Sequence, residues 1–323
     1  MRVLVALGGN AMTSPDGQAR PDDQIAALTR AAGEIVRLMQ AGHQVVITHG
    51  NGPQVGNLLV KNEMCADVVP PVPLDWCVGS TQATVGLILS NALDAALEDA
   101  GIDARPVTVV TRSLVDAGDP AMREPSKPVG RYLSAEDAAP LIAHGQNWED
   151  RGERGWRRVV PSPRPTEIVE APAIRTLLAG GHVVIAGGGG GIPVARDAAG
   201  ALHGVQAVID KDTAAVELAH AVNADVLIIA TDVEHAVAGF GTDRARALGE
   251  VSPAELDELA ADGHFAAGSM GPKVAAASRF VSGGGSFAVI TALDLIDRAV
   301  NGAAGTVVRQ PKSTQPTTKE HHG

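Results

Sequence analysis

Arg2-Val-Leu-Val-Ala-Leu-Gly8-Gly9-Asn10-Ala11 opens the chain and decides how the rest is read. Six residues of strand length, rich in valine and leucine, run into a glycine pair. An unbroken apolar run, without alternation, is the signature of a strand buried on both faces of a parallel sheet. The glycines let the backbone turn sharply and bring its N–H groups close to a ligand. Open α/β sheets bind ligands just beyond the carboxyl ends of their strands. The loop after Leu7 is therefore the first candidate binding element.

The same construction recurs outward from it. A helix with Asp22 and Asp23 as caps and Ile25, Leu28, Ala32, Ile35, Val36 and Met39 on its apolar face is ended by Gly42. Gln44-Val-Val-Ile-Thr-His49 then opens into Gly50-Asn51-Gly52-Pro53. Much later, Val183-Val-Ile-Ala186 opens into Gly187 to Gly191 and Pro193. Both follow a Gly-His pair and an amphipathic helix, which suggests two halves of similar build, each offering one amide-rich loop that can hold an anion. Val226 to Thr231 and Phe287 to Thr291 read as further buried strands, and Val107 to Thr111 as another. Strand alternates with helix throughout, so the fold class is α/β with a mostly parallel central sheet between helical layers.

Between these, a helix over about Gly56–Met64 ends before the proline-dense Val69-Pro-Pro-Val-Pro73. The stretch Ser80–Ala100 is long and apolar, and reads as core or, preferably, as a subunit interface. From about 116 to 161 the apolar runs shorten and prolines accumulate. Ser134-Ala-Glu-Asp137 is a capping box, and Gly152-Glu-Arg-Gly155 a hairpin tip, so this region reads as a small inserted, lid-like lobe. Ser252-Pro253-Ala-Glu255 marks another helix start. Residues 1–311 form one domain on this reading, and 312–323 a disordered tail.

The 323 residues carry a formal charge of -11, with no basic stripe, which argues against nucleic acid. Cys65 and Cys77 form neither a metal set nor a disulfide framework, and no apolar run reaches the roughly 18 residues that span a bilayer. A soluble, cytoplasmic protein is expected. Walker, dinucleotide and nucleophile-elbow motifs are absent. What remains near the glycine loops is Lys127, Lys211, Asp212 and Lys273. Phosphoryl transfer needs two substrates in line and positive charge over the moving group, and amide loops with lysines supply that.

Ala6 to Ala11, His49 to Gly56, Pro73 to Cys77, Val160 to Pro163, Ala186 to Val194, Val208 to Asp212 and Gly268 to Val274 together resemble carbamate kinase, in order along the chain to about Val308. The resemblance implies the amino acid kinase fold, a three-layer αβα sandwich with a small protruding subdomain, and a homodimer through the Ser80–Ala100 region. It implies reversible transfer between ATP and carbamate, giving carbamoyl phosphate and ADP, with ATP synthesis in arginine catabolism as the expected direction. On this likeness Gly8, Gly9, Asn10, Gly50, Asn51 and Gly52 cradle the acid. Lys211 and Lys273 bracket the transferring group, Asp212 holds them, and Lys127 enters from the lobe. Gly188, Gly189, Gly190, Thr231, Asp232, Val233, Met270, Gly271 and Pro272, with both transfer lysines, take the nucleotide, whose phosphates Mg2+ bridges. His49 is read as structural. Two stretches depart from the family pattern: Glu234 to Phe240, on the adenine side, and Trp76 to Ala83. They leave open a kinase of another small acid, and a non-catalytic sensor of the same fold.

Overall fold

The computed structural model describes residues 1–9, 12, 19–265 and 269–311. Asn10, Ala11, Gly268 and the tail 312–323 lie outside them, so the expectations placed on these residues are left there.

The chain begins with β1 (Arg2–Leu7), α1 (Pro21–Gln40) and β2 (Gln44–His49). Then come α2 (Gly52–Met64), α3 (Leu74–Asp99), β3 (Pro106–Thr108) and β4 (Arg112–Val115). The inserted region holds β5 (Lys127–Leu133), α4 (Ala135–Ala143), β6 (Trp148–Asp150) and β7 (Trp156–Val160). After it follow β8 (Pro165–Ile168), α5 (Ala171–Ala179), β9 (Val183–Ile185), β10 (Ile192–Arg196), β11 (Leu202–Gly204) and α6 (Lys211–Ala221). The last part carries β12 (Val226–Thr231), β13 (Val237–Ala238), β14 (Arg246–Ala247), β15 (Glu250–Val251), α7 (Pro253–Ala261), α8 (Met270–Ser282), β16 (Phe287–Ala292), α9 (Ile296–Ala299) and β17 (Thr306–Val308).

The main sheet has the order β15-β17-β16-β12-β1-β2-β9-β3. Its six strands from β16 to β3 are parallel, and β17 turns back antiparallel to β16. β1 lies at the middle, between β12 and β2. Its alternate side chains feed two cores. Val3, Val5 and Leu7 pack with α1, α3 and α9 on one face, and Leu4 and Ala6 with α5, α6, α7 and α8 on the other. Burial on both faces is why β1 shows no polar alternation. The result is the three-layer αβα sandwich read from the sequence.

The inserted region folds as a separate three-stranded antiparallel sheet, β5-β7-β6, with α4 started by the Ser134 side chain accepting from the Asp137 N–H. A second small sheet, β11-β10-β4-β8, joins it to the main body. Ser252 and Glu255 form the expected capping box of α7.

Several local expectations shift. α1 is capped by Arg20, whose side chain makes no capping bond, because Pro21 occupies the first position. Asp22 and Asp23 sit in the first turn instead, where they still face the positive helix end. Ile25 is exposed. α2 starts at Gly52 rather than Gly56, since Pro53 fits a first turn that has no N–H to satisfy. α3 starts at Leu74 rather than Ser80 and takes in the departing stretch. Its Val85, Leu89, Leu93 and Leu97 fill the core beside α1, so much of the apolarity read as a subunit interface belongs to internal packing. The single strand expected over Val107–Thr111 is two, β3 and β4, because the chain leaves the main sheet there for the smaller one. Among the described residues no helix is long and apolar enough to cross a membrane.

Candidate active site

Parallel pairing brings the carboxyl ends of β12, β1, β2 and β9 to one edge of the sheet. The backbone is drawn together there. Gly8 N–H donates to Ala230 O at 2.8 Å and Gly50 N–H to Leu7 O at 2.9 Å. A Cβ on Gly50 would lie 2.8 Å from Gly9 N, so a side chain at this position would push the two loops apart.

Beneath the loops lies a buried polar network that the sequence reading missed. The Asn51 amide donates to Thr81 Oγ1 at 2.8 Å. Gln82 donates to Thr111 O and Gly188 O, both at 3.0 Å, and accepts from Thr111 N at 2.8 Å. Thr48 Oγ1 donates to Gly187 O at 2.9 Å. Thr81 and Gln82 come from the departing Trp76–Ala83 stretch. That stretch therefore supports the glycine loops from below, while Trp76 itself is 65% exposed.

His49 is fully buried, and its Nδ1 donates to Gly50 O at 2.9 Å. Burial lowers its pKa to about 4 against the pull of that bond, and nearby Lys211 lowers it further. The ring is neutral near pH 7, in line with the structural role expected of it.

α6 and α8 deliver the charges. Asp210 caps α6, accepting from the Asp212 and Thr213 N–H groups, so Lys211 and Asp212 fall in the first turn. Lys211 Nζ lies 2.6 Å from Asp212 Oδ1, a largely buried ion pair. Lys273 Nζ, one turn into α8, donates to Asp212 Oδ2 at 3.0 Å. Burial alone would raise the Asp212 carboxyl, but Lys211 and Lys273 outweigh it and hold the pKa at about 2. Burial pushes the Lys211 ammonium below the usual lysine range, with Asp212 opposing the shift. Lys127, at the start of β5, reaches Asp210 Oδ2 at 2.6 Å. Asp210 thus serves as helix cap and as the lobe's anchor. The sequence shows it only as the residue before a helix, and its second role depends on the lobe.

Two cavities meet here. One, of about 510 Å³, is lined by Gly50, Asn51, Gly52, Lys127, Lys211, Asp212 and Lys273, with Pro272 and Gly189. Asn57, Arg131 and Arg157, unforeseen from sequence, complete it. The other, of about 370 Å³, is lined by Gly8, Gly9, Thr231, Asp232, Val233, Met270 and Lys273. Lys273 and Ser269 border both, so the first turn of α8 is the shared wall, with Gly271 between Met270 and Pro272. Gly8 and Gly9 thus face the second cavity while Gly50 to Gly52 face the first, and the two loops touch across the divide.

One expectation changes. Gly188 and Gly190 line neither cavity, and Gly189 faces the lysines rather than the cavity of Thr231. These glycines are required by close packing. A Cβ on Gly188 would run into His49, one on Gly189 (φ +65°) into the Asn51 amide, and one on Gly190 would lie 2.6 Å from Ile209 O. The departing stretch after Val233 does line the second cavity, through His235, Val237 and Phe240.

The model of the amino acid kinase family matches residues 1–292. A carbamate kinase of Pyrococcus horikoshii is 43% identical over 312 residues, covering 95% of this chain and 98% of that protein. One of Thermococcus kodakarensis is 45% identical over 316 residues, covering 96% and 99%. The solved carbamate kinase from Giardia lamblia bound to AMP-PNP superposes with a TM-score of 0.90 at 43% identity, covering 96% of this chain and 98% of that one. With the fold, the converging loops and the lysine–aspartate cluster in place, the chain belongs to the amino acid kinase family, in its carbamate kinase group.

Proposed function

We propose that this chain transfers a phosphoryl group reversibly between MgATP and carbamate, forming carbamoyl phosphate and ADP. The observation that carries the reading is the pair of cavities joined at Lys273, one rich in amides and cations, the other running along Thr231–Val233 and Met270. The small acid sits at Gly50 to Gly52 under Lys127. The nucleotide runs from Thr231–Val233 and Met270 towards the lysines, with Mg2+ arriving on its phosphates.

Carbamate attacks as an anion, so no general base is needed; His49, buried with its pKa lowered to about 4, is too weak a base for that part, and Asp212 is held by two ammonium groups. The residues' task is to align the attacking carboxylate oxygen with the terminal phosphorus and to neutralise the charge spread over the equatorial oxygens. Lys211 and Lys273 flank that point, and Asp212 keeps two like charges side by side. Lys127 rides on the lobe, so lobe closure adds a third cation, and Asp210 holds it when the site is closed. ATP formation from ADP and carbamoyl phosphate, followed by coupled assay, tests the reading. Absence of turnover with Mg2+ present, alongside phosphorylation of another small acid, would move the chain to a different kinase specificity.

We further infer a homodimer through the outer face of α3, where Trp76 and Leu87 (61% exposed) leave apolar surface towards solvent. Leu87→Glu converts the dimer to monomer in sedimentation velocity if this face is the interface. An unchanged sedimentation coefficient rejects it.

A further inference from the structure

We propose that Arg157, on β7 of the inserted lobe, binds the phosphate of the phosphorylated acid and gives the cavity of the lysines its preference for a dianionic ligand. This rests on the phosphoryl-transfer reading above.

Five cations line that cavity: Lys127, Arg131, Arg157, Lys211 and Lys273. Four of them are met by carboxylates of the protein. Lys127 pairs with Asp210, Arg131 with Glu63, and Lys211 and Lys273 share Asp212. Arg157 alone of the five makes no ion pair among the described residues. One positive charge is therefore in surplus at the two lysines and a second at Arg157. Carbamate brings a single negative charge, whereas a phosphate group carries about −1.5 to −2 near pH 7. The surplus of two matches the phosphorylated acid. A planar guanidinium also presents paired N–H donors that fit two oxygens of one phosphate.

The fold holds Arg157 in place without neutralising it. Its guanidinium lies over the Tyr132 ring, 4.9 Å from the centroid, and its Nη1 donates to the Tyr132 hydroxyl at 3.2 Å. That pairing depends on a bulge in β5. Val129 lies opposite Arg158, and the next pair is Tyr132 with Arg157, so Gly130 and Arg131 are extra on β5. Gly130 has φ +69°, which glycine adopts without strain. A bulge of this kind bends its strand and re-aims the side chains beside it. Gly130 also packs against α2, where a Cβ on Gly56 would lie 3.5 Å from Gly130 Cα. The bulge is thereby seated on the helix that follows the Gly50–Gly52 loop. Arg157 lines the cavity of that loop and not the cavity of Thr231, so the ligand it meets is the acid and not the base of the nucleotide.

Isothermal titration of the intact protein with phosphonoacetamide, a stable isostere of carbamoyl phosphate, reads the contact without turnover. Arg157→Gln should weaken binding by about tenfold or more, as for loss of a charge-assisted hydrogen bond, while ADP binds as to the wild type. In the coupled assay, KM for carbamoyl phosphate should rise by a similar factor and KM for ADP stay unchanged. Arg157→Lys keeps the charge and loses the fork, so its affinity should fall between the two, and it carries the test if Arg157→Gln fails to fold. Tyr132→Phe keeps the ring and removes the hydroxyl, and should give a smaller loss in the same direction. Wild-type affinity for phosphonoacetamide in the folded Arg157 variants, or equal losses for phosphonoacetamide and ADP, would overturn the assignment; the second result would make Arg157 a structural residue of the lobe. Arg157-dependent binding of phosphonoacetamide in a protein that forms no ATP from carbamoyl phosphate would support the phosphate contact and sink the carbamate reading instead.

Discussion

Replacing Asp212 by asparagine keeps the shape of the site and removes one charge from its centre. The carboxylate lies 2.6 Å from Lys211 Nζ and 3.0 Å from Lys273 Nζ. With an effective dielectric constant of about 20, each contact is worth about 6 kcal/mol in direct attraction. Most of that offsets the desolvation of three buried charges, and removing one partner of such a cluster costs about 3–5 kcal/mol net. In a chain of 323 residues, with an unfolding entropy of about 2.1 cal/mol/K per residue, this lowers Tm by about 6 °C. The kinetic consequence has a sign. Burial already pushes the Lys211 ammonium down, and Asp212 is what opposes the shift. Without the carboxylate, Lys211 loses its proton at lower pH, and the charge over the phosphoryl group goes with it. We expect kcat for ATP formation to fall by about 10²–10³-fold near pH 8 and to recover partly as the pH is lowered, whereas the wild type holds its rate to higher pH. Scanning calorimetry with a coupled assay between pH 6 and 9 measures both. A variant with unchanged kcat and the wild-type pH profile would refute the role given to this cluster.

Lys211→Ala should keep the wild-type circular dichroism and lose about 10³-fold in kcat, which a single-turnover assay resolves. Asp210→Ala loses a helix cap worth about 1 kcal/mol and releases Lys127, so KM for carbamoyl phosphate rises more than kcat falls; equal effects would argue against Lys127 contacting the acid. Gly189→Ala forces a side chain onto a positive-φ position facing the Asn51 amide, and should destabilise by about 1–3 kcal/mol in urea unfolding. His49, with its pKa lowered to about 4, is neutral when folded but takes up a proton near 6.5 when unfolded. Its contribution is present above that value and lost as the pH falls towards 4, about 3 kcal/mol in full. Urea midpoints at pH 7.5 and 4.5 should therefore lie closer together for His49→Gln than for the wild type.

Local chemistry was enough for the elements themselves. Buried strands such as Val3 to Leu7 announce themselves by lacking alternation, because both faces meet helices. Ser134 and Ser252 announce helix starts, because a cap needs only three neighbouring residues. The motif resemblance likewise carried the lysines and the aspartate to their positions. What no local pattern holds is which loop meets which. β1 pairs with β2, the next strand, and with β12 from far along the chain, and those pairings set Gly9 against Gly50 and Gly8 against Ala230. The glycines at 188–190 look like a ligand loop in sequence, yet two of them serve packing against His49 and Ile209. Asp210 reads as a cap, and only the folded lobe brings Lys127 to it. Propensity and capping act over a few residues, whereas the site is made by contacts across the sheet edge that exist only once the strand order is set.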